Sequence, residues 1–161
     1  MSAIRVLDII AGTTVDGVGL RTSIYVAGCR HQCEGCHNRQ SWDFDAGVPM
    51  TVDEIMERVE EEDFNVTLTG GDPMWQVEKM LPLAQAIKAK GYTLWCYTGF
   101  VWEQIVKSPE QSALLEYIDV LVDGKFVASE RDVSLRFKGS GNQRIIDVKK
   151  TMASGKIEIW G

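Results

Sequence analysis

Short apolar runs alternate with stretches of helical periodicity along most of this chain, and that alternation restricts the fold more than any other feature. Strand-like runs occupy Leu20 to Ala27, Asn65 to Thr69, Tyr92 to Tyr97 and Asp119 to Val122, and patterns with a 3.6-residue period separate the later ones. Strands spaced in this way lie parallel in one sheet, with helices packed over it. The helix starts carry their own signals. Thr51 and Glu54 form a capping box, and Val52, Ile55, Met56 and Val59 follow on one face. A second helix reads from about Trp75 to Lys90, with Val77, Met80, Leu81, Ala84 and Ile87 on one side and Gly91 as its stop. Pro82 inside it predicts a kink or a late start. A short helix over Val101 to Lys107 leads to Ser108-Pro109-Glu110-Gln111, a cap followed by proline at the first helical position. Ile4 to Ile10 reads as a strand or as half of a hairpin, and the tail adds Ile145-Ile146-Asp147 and Ile157 to Trp160.

Length narrows the architecture. A complete eight-unit (β/α) barrel needs about 250 residues, so a chain of this size supplies only about five or six units. With 161 residues and no repeat or linker, the expectation is a single α/β domain over residues 1–161, an incomplete, open barrel with a mainly parallel sheet. In such folds ligands bind just past the carboxyl ends of the strands. Four polar or glycine-rich groups fall there: the loop Gly28 to Asn38, Gly70-Gly71-Asp72-Pro73, Thr98-Gly99 and Asp123-Gly124-Lys125.

The loop after the first core strand holds Cys29, Cys33 and Cys36 in a C-x3-C-x2-C spacing. Three thiolates held this closely repel one another unless a metal neutralises them, and soft thiolates select iron–sulfur clusters, zinc or copper(I). Three cysteines on a four-iron cubane leave one iron without a protein ligand, and an open position is what separates catalytic from structural metal sites. Spacing alone leaves a second reading open. A structural zinc would use the three cysteines with His31 or His37, the only histidines in the chain and both in this loop. Cys96 stands apart in an apolar strand and reads as a small core residue. Trp75, Trp95 and Trp102 read as core or rim packing.

Charge and hydropathy bound the partners. A net charge of −6 argues against a nucleic-acid binder, which carries a basic face. No apolar run reaches the roughly 18 residues needed to cross a bilayer. The start, Met1-Ser2-Ala3-Ile4-Arg5, lacks a signal pattern, so a cytoplasmic protein without membrane contact is expected. Clustered cysteines in such a compartment point to metal or redox chemistry rather than disulfides.

Beyond spacing, the triplet and the apolar strand before it resemble the radical S-adenosylmethionine superfamily. Within that superfamily, Asp16-Gly17-Val18-Gly19-Leu20-Arg21, then Gly28-Cys29 through Cys36-His37-Asn38, then Gly70-Gly71-Asp72-Pro73, resemble the glycyl-radical-enzyme activases in sequence and order. The short length and Asn142-Gln143-Arg144-Ile145-Ile146-Asp147 are most similar to the members that serve anaerobic ribonucleoside-triphosphate reductase. The resemblance implies a [4Fe-4S] cluster on Cys29, Cys33 and Cys36, with S-adenosyl-L-methionine chelating the fourth iron. It implies that Gly35, Cys36 and His37 line the adenine, and that Gly70, Gly71 and Asp72 meet the amino group. It places Asp123 and Lys125 at a later strand end, with Lys125 toward the methionyl carboxylate. Gly35 stands where many members have an aromatic residue, and Tyr97 near where some have an acid. The implied reaction is one-electron cleavage of S-adenosylmethionine, fed by a donor such as flavodoxin, and removal of a hydrogen atom from a glycine of a large glycyl radical enzyme subunit. No catalytic acid or base is implied. The alternatives are an activase of the formate-lyase type and a zinc-stabilised module without catalysis.

Overall fold

The computed structural model describes residues 3–29, 31, 42–132 and 134–160. Cys33, Gly35, Cys36 and His37 lie outside the described residues. The strands are β1 (Ile4–Thr13), β2 (Arg21–Val26), β3 (Val48–Met50), β4 (Asn65–Gly70), β5 (Leu94–Tyr97), β6 (Val120–Asp123) and β7 (Arg144–Asp147). The helices are α1 (Val52–Glu62), α2 (Val77–Ala89), α3 (Trp102–Ile105), α4 (Pro109–Leu115) and α5 (Val148–Ser154).

All seven strands form one sheet in the order β3-β1-β2-β4-β5-β6-β7. The central pairs β2–β4, β4–β5 and β5–β6 are parallel, each joined through helix-containing crossovers. The flanking pairs β1–β2, β1–β3 and β6–β7 are antiparallel. The expectation of a mainly parallel sheet therefore holds for the middle of the sheet and fails at both flanks. A hairpin at one side and a returning tail strand at the other need no crossover helix, which is why the chain yields fewer βα units than the five or six expected.

The local signals hold where capping decides. Thr51 Oγ1 accepts from the Glu54 N–H at 3.1 Å, and Glu54 Oε1 accepts from the Thr51 N–H at 3.0 Å. Ser108 Oγ accepts from the Gln111 N–H, with Pro109 in the first turn of α4. The second helix begins later than Trp75, because Asp72 caps a 3-10 turn over Pro73–Trp75 that takes the chain first. Pro82 sits on the exposed side of α2, where water can satisfy the carbonyl that it leaves unpaired. The stretch Ile157 to Trp160 makes only an isolated bridge, Ile146↔Ile159, instead of a strand.

Alternation along the strands divides the interior in two. Leu94, Cys96, Leu121 and Ile146 join the main core with buried residues of all five helices, among them Ile55, Leu83, Ile105, Leu114 and Val148. Trp95, Val120 and Val122 point the other way and meet Phe137, with Tyr97, Ile145 and Trp160 packed against them. Helices thus cover one face of the sheet, while the other is closed by aromatic side chains from the 131–139 loop and the tail. Trp95 and Trp102 are buried as expected, and Trp75 is 38% exposed.

Candidate metal and cofactor site

Because β2, β4, β5 and β6 run parallel, their carboxyl ends share one rim, and the chain after each carries one of the four groups marked by sequence. The rim is stitched by backbone. Gly71 N–H donates to Val26 O at 2.7 Å, Asp72 N–H to Gly28 O at 2.8 Å, and Thr98 N–H to Val122 O at 3.0 Å. Gly70 has φ +108°, and a Cβ there would run into the Val26 backbone. Only glycine lets β4 come this close to β2 at the rim.

Together these groups wall a cavity of about 200 Å³. Cys29 and His31 reach it from the β2 loop, Thr69, Gly70, Gly71 and Asp72 from β4, and Tyr97, Thr98 and Gly99 from β5. Gly124, Phe126, Gly139 and Gln143 close the far side. One ligating atom each of Cys29, His31 and Asp72 lies within 4.8 Å of the others.

Asp72 is 1% exposed, and its carboxylate faces inward. Oδ2 accepts from the Gly99 N–H at 2.8 Å, from Thr98 Oγ1–H at 3.0 Å and from His31 Nε2–H at 2.7 Å. Oδ1 accepts from the Met74 N–H at 2.9 Å. The His31 ring lies edge-on to Phe100, with centroids 4.7 Å apart, and is tilted against Trp75 at 5.6 Å.

Asp123 is buried, and both its oxygens are engaged. Oδ1 accepts from Arg144 Nε–H at 3.0 Å, while Oδ2 accepts from the Trp102 N–H at 2.8 Å and from Arg144 Nη2–H at 2.5 Å. The Lys125 side chain is exposed, and its carbonyl accepts from Asn142. Between the two, Gly124 is the residue that lines the cavity. Hydrogen bonds to Asp123 and Glu103 hold the Arg144 pKa above its ordinary value, and the bond from Arg144 lowers that of Glu103.

Tyr97 turns its hydroxyl to Phe137 O at 2.7 Å; burial, and then the Asp16 charge, push its pKa up. It stands in the cavity wall as a neutral phenol. Burial raises the Cys96 thiol well above its ordinary range, as expected of a core residue. Sequence reading placed Thr98-Gly99 at the rim but missed Gln143 and Phe126 as lining residues. The signal for Gln143 was its place in the Asn142-Gln143-Arg144 stretch.

Among the described residues, the donor at the cavity that an iron–sulfur cluster would use is Cys29. This soft donor stands at a cavity to which Gly70, Gly71, Gly99, Gly124 and Gly139 contribute wall without side chains, which lets a second small molecule approach closely there.

Comparison with known proteins points the same way. The family described as 4Fe-4S single cluster domain matches residues 15–146. The anaerobic ribonucleoside-triphosphate reductase-activating protein of Haemophilus influenzae is 40% identical over 143 residues, 81% of this chain and 90% of its own. The protein of the same name from Vibrio cholerae is 38% identical over 81% of this chain and 90% of its own. That of Enterobacteria phage T4 is 34% identical over 81% and 86%. The solved structure of QueE from Escherichia coli overlaps 60% of this chain and 52% of its own at 15% identity and a TM-score of 0.49, too partial a likeness to carry any reading of the site.

Proposed function

This chain belongs to the family of anaerobic ribonucleoside-triphosphate reductase-activating proteins, and on that premise we propose that it is a radical S-adenosylmethionine activase. In this reading Cys29, Cys33 and Cys36 hold a [4Fe-4S] cluster, and S-adenosylmethionine occupies the adjoining cavity. When bound, the two supply reductive cleavage of the sulfonium and the abstraction that leaves a glycyl radical on the reductase. The residues of the chain bind and orient. Gly70 and Gly71 give a wall without side chains, Asp72 fixes that wall to the β5 rim, and Gly35, Cys36 and His37 flank the adenine. Asp123 is committed to Arg144, so it holds the Gly124 backbone in the wall, and Lys125 stands at the outer edge for the ligand carboxylate. The sheet, with its helices on one face, is read as an incomplete barrel, and a glycine-bearing loop of the partner is read as entering at the carboxyl-end rim, where the cavity lies. A one-electron donor such as flavodoxin supplies the electron. Among the described residues no helix is long and apolar enough to cross a membrane.

The observation that carries this reading is the convergence of Cys29 with the Gly70-Gly71-Asp72 turn in one cavity at the carboxyl ends of the parallel strands. The relatives' names favour the reductase over a formate-lyase type partner. The zinc reading has one supporting observation, the proximity of Cys29, His31 and Asp72. Asp72 Oδ2 is already engaged by Gly99 and Thr98, which removes Asp72 as a ready ligand, but the bond to it uses only one of the two His31 ring nitrogens, so the iron content decides between the readings. Anaerobic reconstitution tests the choice. About four irons per chain, release of 5′-deoxyadenosine and a glycyl radical signal on the reductase are expected. Replacing Cys29, Cys33 or Cys36 by alanine should abolish all three, while Cys96→Ala should not. A colourless protein holding one zinc overturns the proposal.

A further inference from the structure

We propose that His31 is a positioning residue whose hydrogen bond to Asp72 sets the cysteine loop against the glycine-rich rim, and so tunes how tightly the cavity binds S-adenosylmethionine. The inference rests on the reading of the site given above. His31 lies two residues after Cys29, on the loop that carries the cysteines, whereas Asp72 belongs to the turn after β4. Their side chains are 6% and 1% exposed, and the link is 2.7 Å long. Asp72 is the node of the rim, since the same carboxylate binds the Gly99 N–H, Thr98 and the Met74 N–H. His31 is the strut that ties the metal-bearing loop to that node.

An independent feature shows that space for this ring is built into the fold. Gly99 lies outside the left-handed region, so its backbone does not call for glycine. A Cβ at Gly99 would nevertheless come within 2.5 Å of His31 Cδ2 and 2.7 Å of Nε2. The glycine is needed by the imidazole, which then packs on Phe100 and Trp75. A buried donor–acceptor pair with a dedicated socket keeps its geometry, and outer hydrogen bonds of this kind tune ligand and metal affinity by about 10- to 100-fold.

Two substitutions separate the hydrogen bond from the packing. His31→Phe keeps a ring but loses the donor, whereas His31→Gln keeps an N–H donor of similar reach but loses the ring. In the reconstituted protein, His31→Phe should retain its iron and raise KM for S-adenosylmethionine by about 10-fold with a smaller change in kcat, and His31→Gln should recover most of that loss. The ligand-induced shift in the spectrum of the reduced cluster should weaken in the first variant and return in the second. In iron-free protein the Gly99 amide should exchange with solvent faster in His31→Phe than in wild type. Gly99→Ala, which crowds the imidazole, should act like His31→Phe. Wild-type KM and wild-type Gly99 exchange in His31→Phe overturn the proposal, as does iron loss in both His31 variants, which would make His31 a metal ligand. If wild-type protein takes up no iron, the functional reading fails, while amide exchange still decides whether the strut exists.

Discussion

Arg21 is 1% exposed, yet its guanidinium bonds only to uncharged oxygens. It donates to Thr67 Oγ1 at 2.9 Å, to Val66 O at 2.7 Å, and to Val18 O and Thr93 O at 3.2 Å, with the Trp95 ring 5.5 Å away. Burial lowers its pKa to about 10. The cost of holding a charge there is offset by hydrogen bonds from all three of its nitrogens. The acceptors on Val66, Thr67 and Thr93 lie at the amino ends of β4 and β5, opposite the cavity, so the arginine ending the Asp16-to-Arg21 stretch fastens the bottom of the sheet. Gly17 belongs to the same device, because a Cβ on it would come within 2.7 Å of the Arg21 stem. Cys96 gives this scale its pH prediction. Burial raises its pKa well above the ordinary 9.0, so the folded chain keeps a proton that the unfolded chain releases. Stability from this group is whole below the unfolded value and falls steadily as pH rises from there toward the raised folded value. Between about pH 8 and about pH 10, urea midpoints of wild type should fall more than those of Cys96→Ala, which itself costs about 1 kcal/mol at neutral pH. Equal slopes in the two proteins would show that the thiol ionises as freely folded as unfolded.

Three consecutive side chains after the 131–139 loop grip three consecutive residues at the end of β6. Arg144 binds Asp123, Gln143 Nε2–H donates to Gly124 O at 3.0 Å, and Asn142 Nδ2–H donates to Lys125 O at 2.8 Å. This extends the antiparallel β6–β7 register, Asp123↔Arg144, past the point where backbone pairing stops. Gln143 also accepts, through Oε1, from Gly139 N–H at 2.8 Å and Ser140 N–H at 3.1 Å, so one amide holds both ends of the loop over the cavity. Gln143→Ala should cost about 1–3 kcal/mol, because a buried carbonyl and two N–H groups lose their partner. Limited proteolysis should then cut within residues 125–140 faster than in wild type. An unchanged cleavage rate would mean that the loop is held by Phe137 and its aromatic neighbours alone. The clamp was only half legible. A sequence can mark Asp123-Gly124-Lys125 as a strand exit and Asn142-Gln143-Arg144 as a motif, because turn chemistry and composition are local. It cannot show that the two meet, because their pairing depends on how the chain returns. The caps at Thr51 and Ser108 were legible for the first reason, and the antiparallel flanks of the sheet were not for the second. The same division runs through the site. Cys29 and the Gly70-Gly71-Asp72 turn announce themselves, whereas the His31–Asp72 link spans 41 residues and has no local signature.

The molecule keeps its packing and its site in different places. The main core takes in six of the seven strands and all five helices, and the second cluster sits behind β5, β6 and β7. Among the described residues neither cluster includes Cys29, the one cysteine described in the loop after β2, and the cavity lies at the rim, beyond the apolar layers. In domains whose metal is structural, the ligands replace a missing core and removal of the ion unfolds the chain. Here the core formed by the described residues already joins six strands and all five helices without Cys29. Stripping iron with a chelator under anaerobic conditions should therefore leave the far-ultraviolet circular dichroism and a single cooperative urea transition in place. Reloading should raise the midpoint only through preferential binding to the folded state, growing with the logarithm of ligand concentration. If the proposed activase reading holds, added S-adenosylmethionine gives a further increment in the iron-loaded protein and little in the stripped one, since in that reading one iron completes its binding site. A stripped chain that loses its cooperative transition would instead place the cluster at the centre of the fold, and the cysteine loop would have to be counted as core.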